Sequence, residues 1–192
     1  MAKTIYQICV SGAARGDSVE QGQQLANAVG EAIARAGHAL LTGATTGLPE
    51  AAAIGYKRAG GASSLGISPA TSKVEHVLKY RLPTDSYDAI LYTGLHYTGR
   101  DALLINSSDG VVSVGGRLGT LHEFTIAMET RTPFGLLQGA GGVSDEIEKL
   151  IDILPNAHKE LIVIDSDADS LVAKLTKLID KQNVRYRSIY QE

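Results

Sequence analysis

The run Val111-Val-Ser-Val-Gly-Gly-Arg-Leu-Gly-Thr-Leu-His-Glu123 holds the residues most able to do chemistry. It reads as a buried strand, a glycine-rich turn and the first turn of a helix. Gly115, Gly116 and Gly119 let a ligand lie against backbone, and the N–H groups of a helix N-terminus favour an anion there. Arg117 and Thr120 add a cation and a hydroxyl to that phosphate cradle. Glu123 adds a carboxylate, which phosphate binding alone does not need but a reaction beside a phosphate would use. Thr120-Leu-His-Glu123 also fits a capping box, in which threonine caps the helix and glutamate reaches back to the cap N–H. That accounts for Thr120 and Glu123 but not for three glycines, where an ordinary strand–helix turn needs one. Two further turns repeat the theme: Ser11-Gly12-Ala-Ala-Arg-Gly16, and Thr42-Gly43-Ala-Thr-Thr46-Gly47-Leu48.

These turns need elements to position them, and the apolar pattern supplies strands alternating with helices. Strands are expected at Thr4 to Val10, His38 to Thr42, Ser63 to Ile67, Ala89 to Tyr92, Gly110 to Val114, Phe134 to Leu137 and Leu161 to Ile164. Helices are expected at Ser18 to Ala36, Leu48 to Ala59, about Arg100 to Ser107, about Leu121 to Thr130, Val143 to Leu154 and about Ser170 to Ile179. Leu25, Ala28, Val29, Ala32 and Ile33 form one helical stripe, and Gly37 ends that helix. Such alternation predicts an α/β fold: a doubly wound, Rossmann-like parallel sheet with helices on both faces. Ligand is expected beyond the C-terminal strand ends at the switch point, the edge that all three glycine turns share. Ser68 to Tyr87, with Pro69, Tyr80, Arg81 and Pro83, is the least regular stretch. It reads as a binding loop or a plain surface excursion, with room for a short helix.

Composition excludes several classes. The 192 residues fit a single domain, and a formal charge of -3 makes no general case for nucleic acid or an anionic membrane. The one cysteine, Cys9, sits in an apolar run, so no internal disulfide or cysteine metal site exists and a buried packing role is expected. No apolar run nears the ~20 residues of a membrane span, and no signal peptide is evident, so a cytoplasmic protein is expected. The first turn lacks the G-x-G-x-x-G spacing and the second strand ends Leu41-Thr42-Gly43 without a ribose-binding acid, against a dinucleotide site. No glycine turn continues into Lys-Ser or Lys-Thr, against a P-loop. The five histidines show no metal-ligand spacing. His122 reads as solvated or packing, and Gly99 beside His96 argues for a loop there.

The segment Gly115 to Glu123 resembles the GGxGTxxE signature of the LOG family, with one residue added between the glycines and Val114 where that family's proline stands. Gly99-Arg100-Asp101 through Gly110 resembles the arginine-bearing helix before the fifth strand, with Asp101 where lysine often follows. Gly47-Leu48, Gly60-Gly61 and Gly66-Ile67-Ser-Pro69 resemble the second glycine turn and third strand. The likeness runs from Val10 to about Leu137, and its departures point to the shorter nucleotide-binding relatives, which include molybdenum-cofactor carrier proteins.

The resemblance implies one LOG-like domain over residues 1–192, working as a homodimer or higher homo-oligomer with a small phosphate-bearing ligand. It implies hydrolysis of a nucleoside 5′-monophosphate to free base and ribose 5-phosphate, with no required cofactor. Arg100 and Glu123 would be catalytic: the carboxylate stabilises charge developing on the ribose and positions water, and the forked arginine orients it or the phosphate. Ser11, Gly12, Gly43, Thr46, Gly47, Gly115, Gly116, Arg117, Gly119 and Thr120 would bind the phosphate or nucleotide. The alternative is a non-catalytic carrier or sensor of a nucleotide or molybdenum cofactor, built on the same cradle.

Overall fold

The structure, a computed structural model, describes residues 4–154 and 158–187. Seven strands form one parallel sheet: β1 (Gln7–Gly12), β2 (Ala39–Thr42), β3 (Ser64–Ser68), β4 (Ala89–Tyr92), β5 (Gly110–Val114), β6 (Phe134–Leu137) and β7 (Ile162–Asp165). Their order is β4-β3-β2-β1-β5-β6-β7. The chain steps outward from β1 to β4, returns across the sheet to β5, and steps outward again to β7. The reversal lies between β1 and β5, which pair from Ile8↔Gly110 to Gly12↔Val114. The doubly wound fold expected from the strand–helix alternation is therefore present.

The helices are α1 (Asp17–Arg35), α2 (Leu48–Arg58), α3 (Lys73–Leu78), α4 (His96–Asn106), α5 (Leu118–Glu129), α6 (Val143–Ile153) and α7 (Ala168–Arg187). Side chains alternate across a strand, so Ile8, Val10, Leu40 and Val112 pack under α1, α2 and α7. Cys9, Leu41, Val111 and Phe134 pack with Phe124 of α5 and Leu104 of α4 on the other face. Cys9 is fully buried, as its apolar run predicted. Helices α1 and α2 touch backbone to backbone: a Cβ on Gly30 would lie 1.9 Å from the Ala52 carbonyl oxygen.

Several boundaries differ from expectation, and each has a local cause. Strand β1 runs Gln7–Gly12 rather than Thr4 to Val10, because pairing with β5 carries it two residues further. Helix α4 begins at His96 and contains Gly99, which was expected to mark a loop. Helix α5 begins at Leu118 with Arg117 as its N-cap, so Thr120 lies inside the first turn and caps nothing. Glu123 accordingly sits in the second turn, and the capping box is absent. Helix α7 extends to Arg187, past the end set by its apolar residues. No helix among the described residues is long and apolar enough to cross a membrane.

The stretch Ser68 to Tyr87 is pinned rather than loose. Ser72 caps α3 by accepting from Glu75 N–H, and the Glu75 carboxylate accepts from Thr71 N–H at 2.7 Å. His76 is fully buried; its ring bridges Ser68 Oγ at 2.8 Å and the Pro83 carbonyl at 2.9 Å.

Candidate functional site

The buried stripes of α4 and α5 explain how charges reach the sheet edge. On α4 the buried residues are Arg100, Asp101, Leu104 and Ile105; on α5 they are Thr120, Glu123, Phe124, Ala127 and Met128. Each stripe is apolar where it covers the strands and becomes polar at its N-terminal end, where the strands stop. Arg100 and Glu123 thus meet beyond the C-terminal ends of β1 and β5, at the switch point. They line a cleft of about 140 Å³ with Ser11, Gly12, Gly43 and Thr120. A larger cavity of about 360 Å³, lined by Arg131, Leu161 and Lys181, lies at the opposite edge of the sheet and has no buried charges.

The cleft floor is a chain of polar and ionisable groups that ends at the partly exposed His122. The Ser11 hydroxyl donates to Glu123 Oε2. Glu123 Oε1 lies 3.7 Å from Arg100 Nη1, Arg100 Nε lies 3.6 Å from Asp101 Oδ1, and Asp101 Oδ2 lies 2.9 Å from His122 Nδ1. Arg100, Asp101 and Glu123 are 5 to 7 % exposed. Burial pushes the Glu123 carboxyl up to about 7; Arg100 and the Ser11 hydroxyl oppose the rise, and Asp101 adds to it. At neutral pH this group is poised between acid and carboxylate. Arg100 is ion-paired but not hydrogen-bonded: no hydrogen bond reaches it among the described residues, and its buried Nε has only the Asp101 carboxylate at 3.6 Å. A guanidinium with donors left over at a cleft can receive an oxyanion.

The glycines divide by what they face. A Cβ on Gly43 would fall 1.9 Å from Arg100 Nη1, so this glycine makes room for the guanidinium. Gly116, at φ +104, would place a Cβ 2.4 Å from Thr120 Oγ1, so the turn folds directly over that hydroxyl. The carbonyls of Gly115 and Gly116 accept from Ser144 N–H at 2.8 Å and Val143 N–H at 3.1 Å, tying the turn to the start of α6. Gly119 differs from both. It is exposed, helical, and a Cβ there would meet nothing within 4 Å. The fold does not require glycine at this position, whereas close approach of a ligand to the α5 backbone would.

Of the residues expected to bind, Ser11, Gly12, Gly43, Gly119 and Thr120 line the cleft with Arg100 and Glu123. Gly47 and Thr46 face the first glycine turn instead: the Thr46 hydroxyl donates to the Ala14 carbonyl at 3.4 Å, and a Cβ on Gly47 would lie 2.5 Å from the Ala13 oxygen. Gly115 packs toward Leu48 and Ser18. Arg117 is exposed, with Nη1 3.8 Å from where a Cβ of Gly16 would stand, at the start of α1. Neither Arg117 nor Arg15 pairs with a carboxylate among the described residues. The first turns of α1 and α5 have no side-chain cap, so backbone donors stay available there, whereas in α2 the Leu48 N–H donates to the Ala13 carbonyl at 2.9 Å and Pro49 has none. Thr45, Pro49, Ala14 and Tyr97 also line the cleft but were not expected there. The Asp101–His122 pair was missed as well; one signal for it was the acid standing where lysine often follows the arginine.

Several known proteins are similar to this chain in sequence or in structure. An uncharacterized protein of Archaeoglobus fulgidus is 36% identical over 125 residues, 65% of this chain and 75% of its own. The molybdenum cofactor carrier protein of Chlamydomonas reinhardtii superposes with a TM-score of 0.73 at 27% identity, over 92% of this chain and 99% of that one. The molybdenum cofactor binding protein of the phototrophic bacterium Rippkaea orientalis superposes with a TM-score of 0.71 at 27% identity, over 93% and 99%. The first is named a carrier and the second a binding protein of the molybdenum cofactor, and the departures in the glycine turn pointed toward relatives that include such carriers. With its family profile matched from residue 5 to residue 172, across all seven strands and the helices from α1 to the start of α7, the chain belongs to the SLOG cluster4 family.

Proposed function

We propose that this protein is a carrier or sensor that binds a small phosphate-bearing cofactor or nucleotide of the molybdenum-cofactor type at the glycine-turn edge of its sheet. The observation that carries this reading is Arg100, a buried cation lining the cleft that lies 3.6–3.7 Å from two carboxylates but makes no hydrogen bond among the described residues. Two features support it: the open Cβ position of Gly119 and the Thr120 hydroxyl beside it, which has no partner among the described residues. In this reading the α5 first-turn N–H groups and Thr120 hold the phosphate, and Arg100 donates to it from the cleft floor. Arg15 and Arg117 draw the anion toward the mouth. A bound pterin cofactor of this type brings its own metal chemistry, and the chain supplies binding, orientation and shielding from water. Protein isolated without denaturation, then extracted and examined by mass spectrometry, should yield a phosphate-bearing pterin or nucleotide. Protein that comes empty and binds neither class in equilibrium dialysis refutes the reading.

A second reading is hydrolysis of the N-glycosidic bond of a nucleoside 5′-monophosphate. It is favoured by Glu123, which is buried in the same cleft, held by Ser11, and has a pKa near neutrality. Release of free base from any member of a monophosphate panel, lost in Glu123→Ala, establishes it. Absence of release from every member removes it and leaves the carrier reading intact.

A further inference from the structure

We infer that Tyr97, buttressed by Tyr80 from the Ser68 to Tyr87 stretch, is the subsite for a planar heteroaromatic ring of the ligand, a purine or a pterin. The inference rests on the proposed binding of a phosphate-bearing ligand in this cleft and adds which side chain receives the other end of it.

Tyr97 stands in the first turn of α4 and lines the cleft with Arg100, Gly119 and Glu123. Its residue is 47% exposed, a large fraction for an aromatic side chain at the wall of a cleft. Its position is over-determined. The Tyr80 ring meets it edge to face, with centroids 5.6 Å apart and planes at 81°. The Tyr80 hydroxyl and His96 Nδ1 share a hydrogen bond of 2.8 Å. His96, the residue before Tyr97, has φ +55, a left-handed backbone unusual for a side chain other than glycine. The Pro69 carbonyl holds it by accepting from His96 N–H at 3.1 Å. Backbone strain of this kind persists only where surrounding contacts impose it, and it gathers at ligand sites. Both contacts that impose it come from the stretch Ser68 to Tyr87, which the sequence left open between a binding loop and a surface excursion.

The surroundings suit a flat ring. The Arg100 guanidinium carbon lies 6.0 Å from the Tyr97 ring centroid, so a cation and an aromatic face share one wall. Leu95 before α4 and Leu118 at the start of α5 are 50% and 81% exposed, and supply apolar surface at the N-terminal ends of the two helices. A ring on Tyr97 and a phosphate on the first turn of α5 would occupy two ends of one cleft.

Titration calorimetry separates this inference from the reading beneath it. The probes are GMP, AMP and neopterin monophosphate, which carry a ring and a phosphate, and ribose 5-phosphate, which has no ring. Tyr97→Leu should weaken at least one ring-bearing probe by about 5- to 100-fold, the range expected for a stacked base. Ribose 5-phosphate should bind unchanged. Tyr97→Phe keeps the ring and should restore the affinity. Tyr80→Leu should give a smaller loss of the same pattern. If ribose 5-phosphate binds as tightly as every ring-bearing probe, or if Tyr97→Leu weakens all probes alike, the ring subsite is overturned and the phosphate cradle stands. If no probe binds the wild-type protein, the phosphate reading fails and the inference with it.

Discussion

Replacing Glu123 by glutamine should flatten the pH dependence of this protein's stability. The carboxyl is 7% exposed and burial lifts its pKa from 4.5 to about 7. An acid whose pKa is raised on folding keeps its proton in the native state after the unfolded chain has released it. The native protein therefore binds more protons than the unfolded chain between these two values. The associated stability is complete below pH 4.5 and is lost as the pH rises toward and through 7. Between about pH 5 and about pH 8 the loss amounts to about 2–3 kcal/mol, at 1.4 kcal/mol per tenfold. Glutamine mimics the protonated acid in shape, still accepts from Ser11 and does not titrate in this range. Guanidinium unfolding of both proteins at the two pH values gives the double difference directly. The variant should gain about 2–3 kcal/mol on the wild type at the higher pH relative to the lower, or about 5–10 °C in Tm. Parallel curves would refute the argument, because they would mean that Glu123 ionises in the native state as readily as in the unfolded chain.

Three further outcomes test the geometry. Gly119→Ala should fold at least as stably as the wild type, up to about 1 kcal/mol better because the position is helical and open. It should bind phosphate-bearing probes more weakly, and unchanged affinity in dialysis would show that the ligand does not approach this backbone. Arg100→Met should raise the Glu123 titration midpoint, read by NMR, because the guanidinium now opposes the rise. The same variant should lose about 3 kcal/mol in urea unfolding at high pH, where the carboxylate is left unpaired; a midpoint that falls or stays would contradict the assigned contact. The Cys9 thiol is fully buried and burial pushes its pKa up. A chromogenic disulfide reagent should leave it untouched in native protein and titrate it in denaturant, whereas rapid native reaction would place it outside the core.

Much of this site was legible because glycine placement and helical spacing are local properties. Gly119, Thr120 and Glu123 stand within five residues, and Arg100 lies on the preceding helix. A strand, a turn and a helix in succession put the first three at one sheet edge. The capping-box reading failed because it placed Thr120 as the N-cap of a helix starting near Leu121. The helix starts at Leu118 with Arg117 in the N-cap position, and both residues are exposed, so the extra residue of the turn lies in its outer part. Tyr97 escaped notice because Gly99 suggested a loop, and because its partner Tyr80 lies 17 residues earlier in an irregular stretch with no periodicity to read.

What the sequence determined by itself is the alternation of strand and helix and the glycine turns between them. Both follow from which residues can be buried and which backbone conformations they tolerate over a few positions. Tertiary structure alone decided that Glu123 turns inward to Ser11 and Arg100 rather than back to a helix cap. It also decided that Gly43 exists to admit a guanidinium, and that an irregular excursion braces an aromatic ring at the cleft. Those outcomes depend on contacts between residues 16 to 112 positions apart. Only the winding of the sheet brings such residues together, and burial among those neighbours is the main cause that raises the Glu123 pKa.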